Sequence, residues 1–573
     1  MSARGRRIVV FTSPGDRPST VECLEALVRA LPEARFTVVI GGTPRSRRSW
    51  LRAKFRRIRR EPLSYPIELF EQVAAALGRR GADALRGLLG SATSIRGPVD
   101  PPLPLERVAE IAPDRVDVLR FPRMHGPDCL EAVAALEPWL GIAIAAPILR
   151  EKLFAIPELG TVNLHKSALP EFRGMPPGFW EMHDEAAGAG TPRVGRIQAG
   201  ATVHWVDRGL DTGDLVHQER IDIPPYATPD GLALRLDELG ERVLVAAILS
   251  IVAGEAERRP QGTATTPVRS RPAWLVRRRV TRRAWRRRRT TARGSGPVPA
   301  LREAAKSAVL FGWTTLLGPL RRLRWRANGQ AHAAVLLYHR VSDDFLDSVT
   351  VGVEQFRDQM RILRRRYDVV DLRTLLEQQD RPRRRPVVAV TFDDGYEDNH
   401  LAARILRREG IPCTFFVCTG IVGTDDRSFP HDAKKLGRRV PALAWSQVDS
   451  MARDGFDFGN HTVDHVDVAS LPVDEALDQV RRATDELESR TRAAAGDRAA
   501  EAARWFAFPY GRPQNVTDEV RQGLGSIGID VCLSAHGGVN PPDLDRLDVL
   551  RQGIDHNFSR LGFRAVLEGW RLR

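Results

Sequence analysis

The stretch Val388–Asn399, VAVTFDDGYEDN, passes from β-branched and apolar residues straight into two aspartates and a glycine. The apolar run lacks the alternation of a half-exposed strand and reads as one buried on both faces. Two adjacent carboxylates at its end are costly unless a cation, a proton or a substrate requires them. Similar runs recur around it: AAVLLYHRV, IPCTFFVCTG, FDFGNHT and RWFAFPYG, separated by helical stretches such as VDEALDQVRRATDELESRT. Strands that end in polar, potentially reactive residues predict a β/α barrel with its site at the strand C-terminal ends. Partners for the two acids lie in GNHTVDHVD, where His461 and His465 are four residues apart. A helical turn there would put both imidazoles on one face. One aspartate and two histidines make a three-ligand metal site with room for water, and the second aspartate is then free to act as a base.

TFDDGY, HTVDH and FAFPYG follow one another about 70 and 45 residues apart. In this order they resemble the first three motifs of the polysaccharide deacetylases, the NodB-homology or family 4 carbohydrate esterases, over roughly residues 331–573. The resemblance implies a divalent metal, usually zinc, bound by Asp394, His461 and His465, with Asp393 as the general base for the attacking water. It also implies that Pro509, Tyr510 and Gly511 line the substrate groove, the Tyr510 backbone N–H helping to hold the tetrahedral oxyanion. Two departures stand out. Many family members carry an arginine two residues before the Pro-Tyr pair, where this chain has Ala507, so the base's ion pair is missing or comes from elsewhere. A late Leu-x-His general acid is also not evident. Circularly permuted members supply that histidine from an early Tyr-His motif, which LLYHRVSDD fits, and His339 is accordingly the expected acid, ahead of His536 and His556.

The first half alternates as well: RRIVVFTS, RFTVVIGG, LGIAIAAP and GATVHWVD read as strands and TVECLEALVRAL as an amphipathic helix, predicting an α/β domain with a mostly parallel sheet. In LGTVNLHKSALPEFRG, Asn163 and His165 are two apart on one strand face, and VDRGLDTGDLV places Asp211 in a Gly-rich turn after a strand. An amide, an imidazole and a carboxylate can hold an oxyanion and take a proton from an attacking amine, with no Ser or Cys nucleophile if the acyl donor is already activated. This half resembles the folate-dependent formyltransferases, which include methionyl-tRNA, glycinamide ribonucleotide and sugar N-formyltransferases, most strongly over residues 137–220. The resemblance implies a Rossmann-like domain, a catalytic triad of Asn163, His165 and Asp211, and 10-formyltetrahydrofolate as donor. It places Ala146, Pro147, Ile148 and Leu149 near the folate, and Arg173 and Gly174 in the loop beside the acceptor. Lys166 replaces the usual proline after the histidine, and the stretch between Asp184 and Gly200 is longer than usual. FTSPGD is no dinucleotide fingerprint, so NAD is not expected.

With 573 residues, two or three domains are expected. The reading is a formyltransferase-like domain over 1–255, an arginine-rich linker over 256–330 and a deacetylase domain over 331–573. The net charge of +15 belongs to that linker: Arg258–Arg326 holds nineteen arginines and Lys306 against Glu303, which leaves −4 for the rest of the chain. Within it, the apolar core from Ser307 to Leu320 is shorter than the ~20 residues that span a bilayer. With Trp313, Trp325 and arginines nearby it reads either as a helix lying in a membrane interface or as one docked on a neighbouring domain. Nothing resembles a base-reading motif, which disfavours nucleic acid. Five scattered cysteines argue for a reducing compartment, and the short apolar run after the basic N-terminus reads as a strand and not as a signal peptide.

Together the halves suggest a bifunctional carbohydrate enzyme that removes an N-acetyl group from a nucleotide-linked or lipid-linked amino sugar and N-formylates the freed amine. The expected location is the cytoplasm, with peripheral contact at the inner membrane face. Two alternatives are methionyl-tRNA formylation beside an unrelated deacetylase domain, and a non-catalytic membrane-associated glycan-binding protein. Against the first, the residues after the formyltransferase half show no second small β-domain.

Overall fold

The computed structural model describes residues 5–13, 18–42, 105–188, 197–263, 266–293, 308–378, 381–429, 431–432, 436–437 and 439–570. These fall into two compact units, one ending at Arg286 and the other beginning at Arg287, a division inside the arginine-rich stretch.

The N-terminal unit is built on seven strands, β1 (Arg7–Thr12), β2 (Arg35–Gly41), β3 (Val116–Phe121), β4 (Leu140–Ile144), β5 (Thr161–His165), β6 (Gln198–Trp205) and β7 (Leu215–Asp222), in the order β3-β2-β1-β4-β5-β6-β7. The first five in that order run parallel and the β5–β6 and β6–β7 pairs are antiparallel. The expected mostly parallel sheet is therefore present, with a hairpin at one edge. β1, β2 and β4 are apolar because helices cover both faces of a parallel sheet. The long helix Pro229–Ala253 packs Leu232, Leu236, Val243 and Leu244 into this core. Thr228 caps its start by accepting from the Gly231 N–H at 3.1 Å, and Gly254, at φ 76°, ends it in the left-handed conformation. Lys166 reaches away from the strand end to Asp237 on this helix, 2.7 Å away. The segment between Asp184 and Gly200 lies partly outside the described residues.

The C-terminal unit begins with β8 (Ala333–Tyr338), followed by the short β9 (Arg340–Val341), β10 (Thr350–Val351) and β11 (Asp368–Val369). Its main strands continue as β12 (Val387–Phe392), β13 (Thr414–Val417), β14 (Asp457–Asn460), β15 (Trp505–Ala507), β16 (Val531–Leu533) and β17 (Arg551–Gly553). They are all parallel, in the order β16-β15-β14-β13-β12-β8-β17. A parallel bridge from Leu533 to Val549, two residues before β17, nearly closes the ring. The result is the expected β/α barrel, with β12 entirely buried as its apolar run requires. All five cysteines are free and buried.

The apolar stretch around Trp313 is not one regular helix. Ser307 lies outside the described residues, a π-turn occupies Gly312–Leu316, and a second helix runs over Gly318–Asn328. One side docks on the C-terminal unit: Trp313 meets Trp570 edge-on, and Arg321 and Arg322 pair with the buried Glu568. The other side exposes Val309, Phe311, Leu316, Leu317, Leu320 and Leu323. No helix among the described residues is long and apolar enough to cross a membrane.

Candidate active sites

In the C-terminal unit the polar residues gather where the parallel strands end. β12 delivers Asp393 and Asp394, β14 leads into His461, and β15 into Pro509 and Tyr510. His461 Nε2 lies 3.4 Å and His465 Nε2 3.1 Å from Asp394 Oδ1. The two histidines are not on a helix, contrary to the spacing-based expectation. They sit in a turn where Thr462 (φ 68°) and His465 (φ 56°) are both left-handed, pinned by the Thr462 N–H donating to Asn460 Oδ1 at 2.8 Å. A tight turn can thus satisfy the same four-residue spacing. Asp394 (φ 77°) and Tyr510 (φ 62°) are left-handed as well. Non-glycine residues there cost about 1–2 kcal/mol each, which packing around the site must offset.

His461 Nδ1–H donates to the Ala507 carbonyl at 2.7 Å, so its Nε2 lone pair faces Asp394. Both Asp394 oxygens are buried and have no hydrogen-bond partner, and one ligand atom from each of Asp394, His461 and His465 lies within 4.8 Å of the others. Converging acceptors without protons between them repel one another unless a cation sits among them, so this O,N,N set fits a divalent metal.

Asp393 has a different partner. Arg551, at the start of β17, grips it bidentately at 2.6 and 2.7 Å and is itself fully buried. Burial alone would raise the Asp393 carboxyl, but the Arg551 guanidinium outweighs it and holds the group below the usual carboxylate range. The side chain at position 507 supplies no charge, and its backbone carbonyl orients His461 instead. His339 follows β8 next to the acids. Burial lowers its pKa although Asp394 and Asp393 pull it upward, so the ring rests neutral. His556 Nδ1 donates to the Asp347 carbonyl at 2.7 Å, and His536 Nε2 is buried without a hydrogen-bond partner.

His431 has no counterpart among the residues singled out from sequence. Its ring lies 5.1 Å from that of His465 and 6.5 Å from that of Tyr510, which is 47% exposed. Tyr396 Oη donates to Asp432 at 2.6 Å and lies 3.0 Å from His431 Nε2, while Asp432 pairs with the buried Arg340. With the phenol proton on Asp432, Nε2–H is the donor to Tyr396, and the partnerless Nδ1 of His431 keeps its lone pair.

In the N-terminal unit, Asn163 and His165 lie on β5 as the two-residue spacing requires. Asp211, left-handed at φ 55°, comes from the turn after β6 and brings Oδ2 to 3.7 Å from His165 Nδ1. Gly174 donates its N–H to the same oxygen at 2.9 Å. Only glycine fits there, since φ is 93° and a Cβ would lie 2.0 Å from the Arg269 carbonyl oxygen. Nearby, Arg173 keeps a buried Nε without a hydrogen-bond partner. Ala146–Leu149 directly follow β4, the neighbour of β5, and Ile148 is 74% exposed.

A fourth residue joins this trio. His204 is the cross-strand partner of Asn163, with its Nε2 3.1 Å from Asn163 Nδ2 and 3.7 Å from Asp211 Oδ1. Its Nδ1–H donates to the Trp205 carbonyl at 2.8 Å. The available signal was a histidine inside the apolar strand just before GLDTGD. Burial would raise Asp211, but His204, His165 and the Gly174 N–H hold it at about 2, and burial keeps His165 neutral.

Residues 380–532 match the polysaccharide deacetylase family model, and residues 119–248 match the formyl transferase family model. Among curated proteins, a methionyl-tRNA formyltransferase from Chloroflexus aggregans is 33% identical over 162 residues, which is 28% of this chain and 48% of that protein. The chain thus spans about half the length of the curated relatives it matches. Among solved structures, the Streptococcus pyogenes deacetylase PplD in complex with acetate aligns at 20% identity and TM-score 0.34, covering 42% of this chain and 99% of that one. A sugar N-formyltransferase from Shewanella aligns at 10% identity and TM-score 0.30, covering 49% and 87%.

Proposed function

For a chain that joins a formyl transferase domain to a polysaccharide deacetylase domain, we propose a two-step exchange on an amino sugar: the C-terminal domain hydrolyses an N-acetyl group and the N-terminal domain formylates the freed amine. The observation that carries this is the presence, on one chain, of a carboxylate held ionised beside a metal-fitting O,N,N set and of a separate Asn/His/Asp cluster. Acting on one N-formyl product the two would cancel, whereas acting in sequence on N-acetyl and then free amine they give a net change.

In the first step Asp394, His461 and His465 would hold a divalent cation, zinc by preference for this ligand set, and it would supply Lewis acidity to the substrate carbonyl. Asp393, kept ionised by Arg551, takes a proton from the attacking water. Tyr510 and its neighbours Pro509 and Gly511 border the sugar, and the Tyr510 N–H stabilises the oxyanion. His339 starts neutral, receives that proton from Asp393 and delivers it to the nitrogen as the C–N bond breaks, giving amine and a carboxylic acid that releases its proton to solvent. In the second step 10-formyltetrahydrofolate supplies an activated formyl carbonyl beside Ala146–Leu149. Asn163 donates to the carbonyl oxygen. His165, whose Nε2–H donates to the Phe172 carbonyl at 2.8 Å, takes the proton the amine loses at Nδ1, where Asp211 stabilises the imidazolium; that proton goes to the folate nitrogen as its bond to the formyl carbon breaks, releasing tetrahydrofolate. Arg173 and Gly174 border the acceptor.

The assignments of 1–255 to formylation, 256–330 to a basic linker and 331–573 to deacetylation belong to the same proposal. The exposed apolar side of Val309–Leu323, flanked by arginines, suits peripheral contact with an anionic membrane and hence a lipid-linked substrate at the cytoplasmic face. A second reading, formylation of aminoacyl-tRNA, draws on the names of the curated relatives. Mass spectrometry of N-acetylated and free-amine sugars, nucleotide-linked and lipid-linked, separates the readings. Loss of acetyl followed by folate-dependent gain of formyl supports the exchange. Formylation of methionyl-tRNA alone replaces it.

A further inference from the structure

Next to the formyl-transfer cluster lies a groove of about 910 Å³ that none of the assigned residues explains. Its size falls in the ~300–1,000 Å³ range of small-ligand sites. Its lining combines apolar side chains, Met175 and Phe179 among them, with Arg271, Arg277, Arg278 and Arg282. Three of them, Arg277, Arg278 and Arg282, belong to the helix Trp274–Arg293, which has ten arginines and no acid in 20 residues. That helix is not simply a solvated charge run, because Val280 is buried in the core of the unit and Val276 packs against it. The docked valines fix which arginines meet the groove. Arg277 is matched by Asp230 at 3.1 Å, and Arg278 lies over the Trp274 ring at 4.5 Å. Among the described lining residues four guanidiniums stand beside one carboxylate, and like charges at i and i+4, such as Arg278 and Arg282, repel.

The groove also has a fixed relation to the chemistry. Gly174 holds Asp211 through its N–H, and the next residue, Met175, lines the groove. The segment that anchors Asp211 therefore runs directly into the groove lining, and an acceptor with its amine at Asp211 and His165 extends toward the groove that the arginines share. An apolar lining for a sugar face and planar cations for phosphate oxygens define a ligand that is part carbohydrate and part polyanion.

We propose that this groove binds the diphosphate of a diphosphate-linked amino sugar and so positions its amine for formyl transfer. The inference rests on reading the N-terminal domain as an amine formyltransferase. Nucleoside-diphosphate and polyprenyl-diphosphate sugars share the recognised group.

The test uses the full-length protein. Inorganic pyrophosphate, titrated calorimetrically, is expected to bind wild type and to bind the double variant R278Q/R282Q at least tenfold more weakly, with tetrahydrofolate affinity unchanged and Arg282→Lys retaining most of the binding. Equal pyrophosphate affinity in wild type and double variant would overturn the proposal. So would transfer RNA binding more tightly than pyrophosphate with the same arginine dependence. In turnover, a diphosphate-linked amino sugar is expected to be formylated at least tenfold more efficiently than the free sugar, the gain disappearing in the double variant. Comparing a uridine-diphosphate with a short-chain polyprenyl-diphosphate acceptor identifies the carrier. If neither free nor linked sugar is formylated, the functional reading fails, while the pyrophosphate titration still decides whether the groove binds diphosphate.

Discussion

The two units solve one problem in different ways: each keeps a carboxylate ionised inside protein, one at the end of a parallel strand and the other in the turn after an antiparallel one. In the barrel, Asp393 is held by a permanent cation, the fully buried Arg551. In the open sheet, Asp211 is held by a backbone N–H and two imidazoles about 3.7 Å away. The first arrangement rests chiefly on a guanidinium that does not titrate, with His461 and His339 adding to its pull. The second leaves the acid coupled to two histidines, so its charge follows their protonation.

The largest expected effect strikes the barrel alone. Asp394→Asn or His461→Ala should abolish stoichiometric metal binding, read by elemental analysis, and lower deacetylation by more than the ~10–100-fold typical of outer-sphere partners, with formylation unchanged. Parallel loss of both activities would mean that the two sites are not independent. Next, Arg551→Met leaves Asp393 as an uncompensated buried charge, a cost of about 3–5 kcal/mol that differential scanning calorimetry should show as a lower melting temperature for the barrel. Because Arg551 holds the Asp393 pKa down, the acid limb of the deacetylation pH profile should also move upward.

For the open sheet the expected effect is smaller. Asp211 sits at about 2 against an ordinary 3.8, so its contribution, about 2 kcal/mol, is complete above pH 3.8 and lost as pH falls toward 2. Stability curves of wild type and Asp211→Asn should converge over that interval, and a constant gap would contradict the assignment. The smallest change expected is at His431. His431→Ala should raise KM for deacetylation about tenfold, roughly 1.4 kcal/mol, with metal content intact. A fall in metal content would make His431 a ligand and not a substrate contact.

The sequence carried what depends on local pattern. The apolar run before Asp393, the pairing of Asn163 with His165 on one strand face and the barrel's alternation of strands and helices all follow from periodicity and motif. What stayed hidden depends on closure of the sheet. Arg551 is 158 residues from Asp393 and meets it only because β17 pairs with β8 and β8 with β12. His204 reaches Asn163 through the antiparallel register of β5 and β6, 41 residues apart. His431 lies in the long connection between β13 and β14, where no motif or periodicity marks it. The expected helix at His461 and His465 failed because Asn460 captures the Thr462 N–H and turns the chain the other way.

Position 507 illustrates how a charge can change its address. Its carbonyl orients His461, a task that any residue's backbone can perform, while the counter-ion for Asp393 arrives from β17. The ion pair is therefore tied to a place in space and not to a place in the chain. Closing the barrel between β8 and β17 is therefore what charges the acid, and a change that opened that seam would unpair Asp393 without altering any residue near it in sequence.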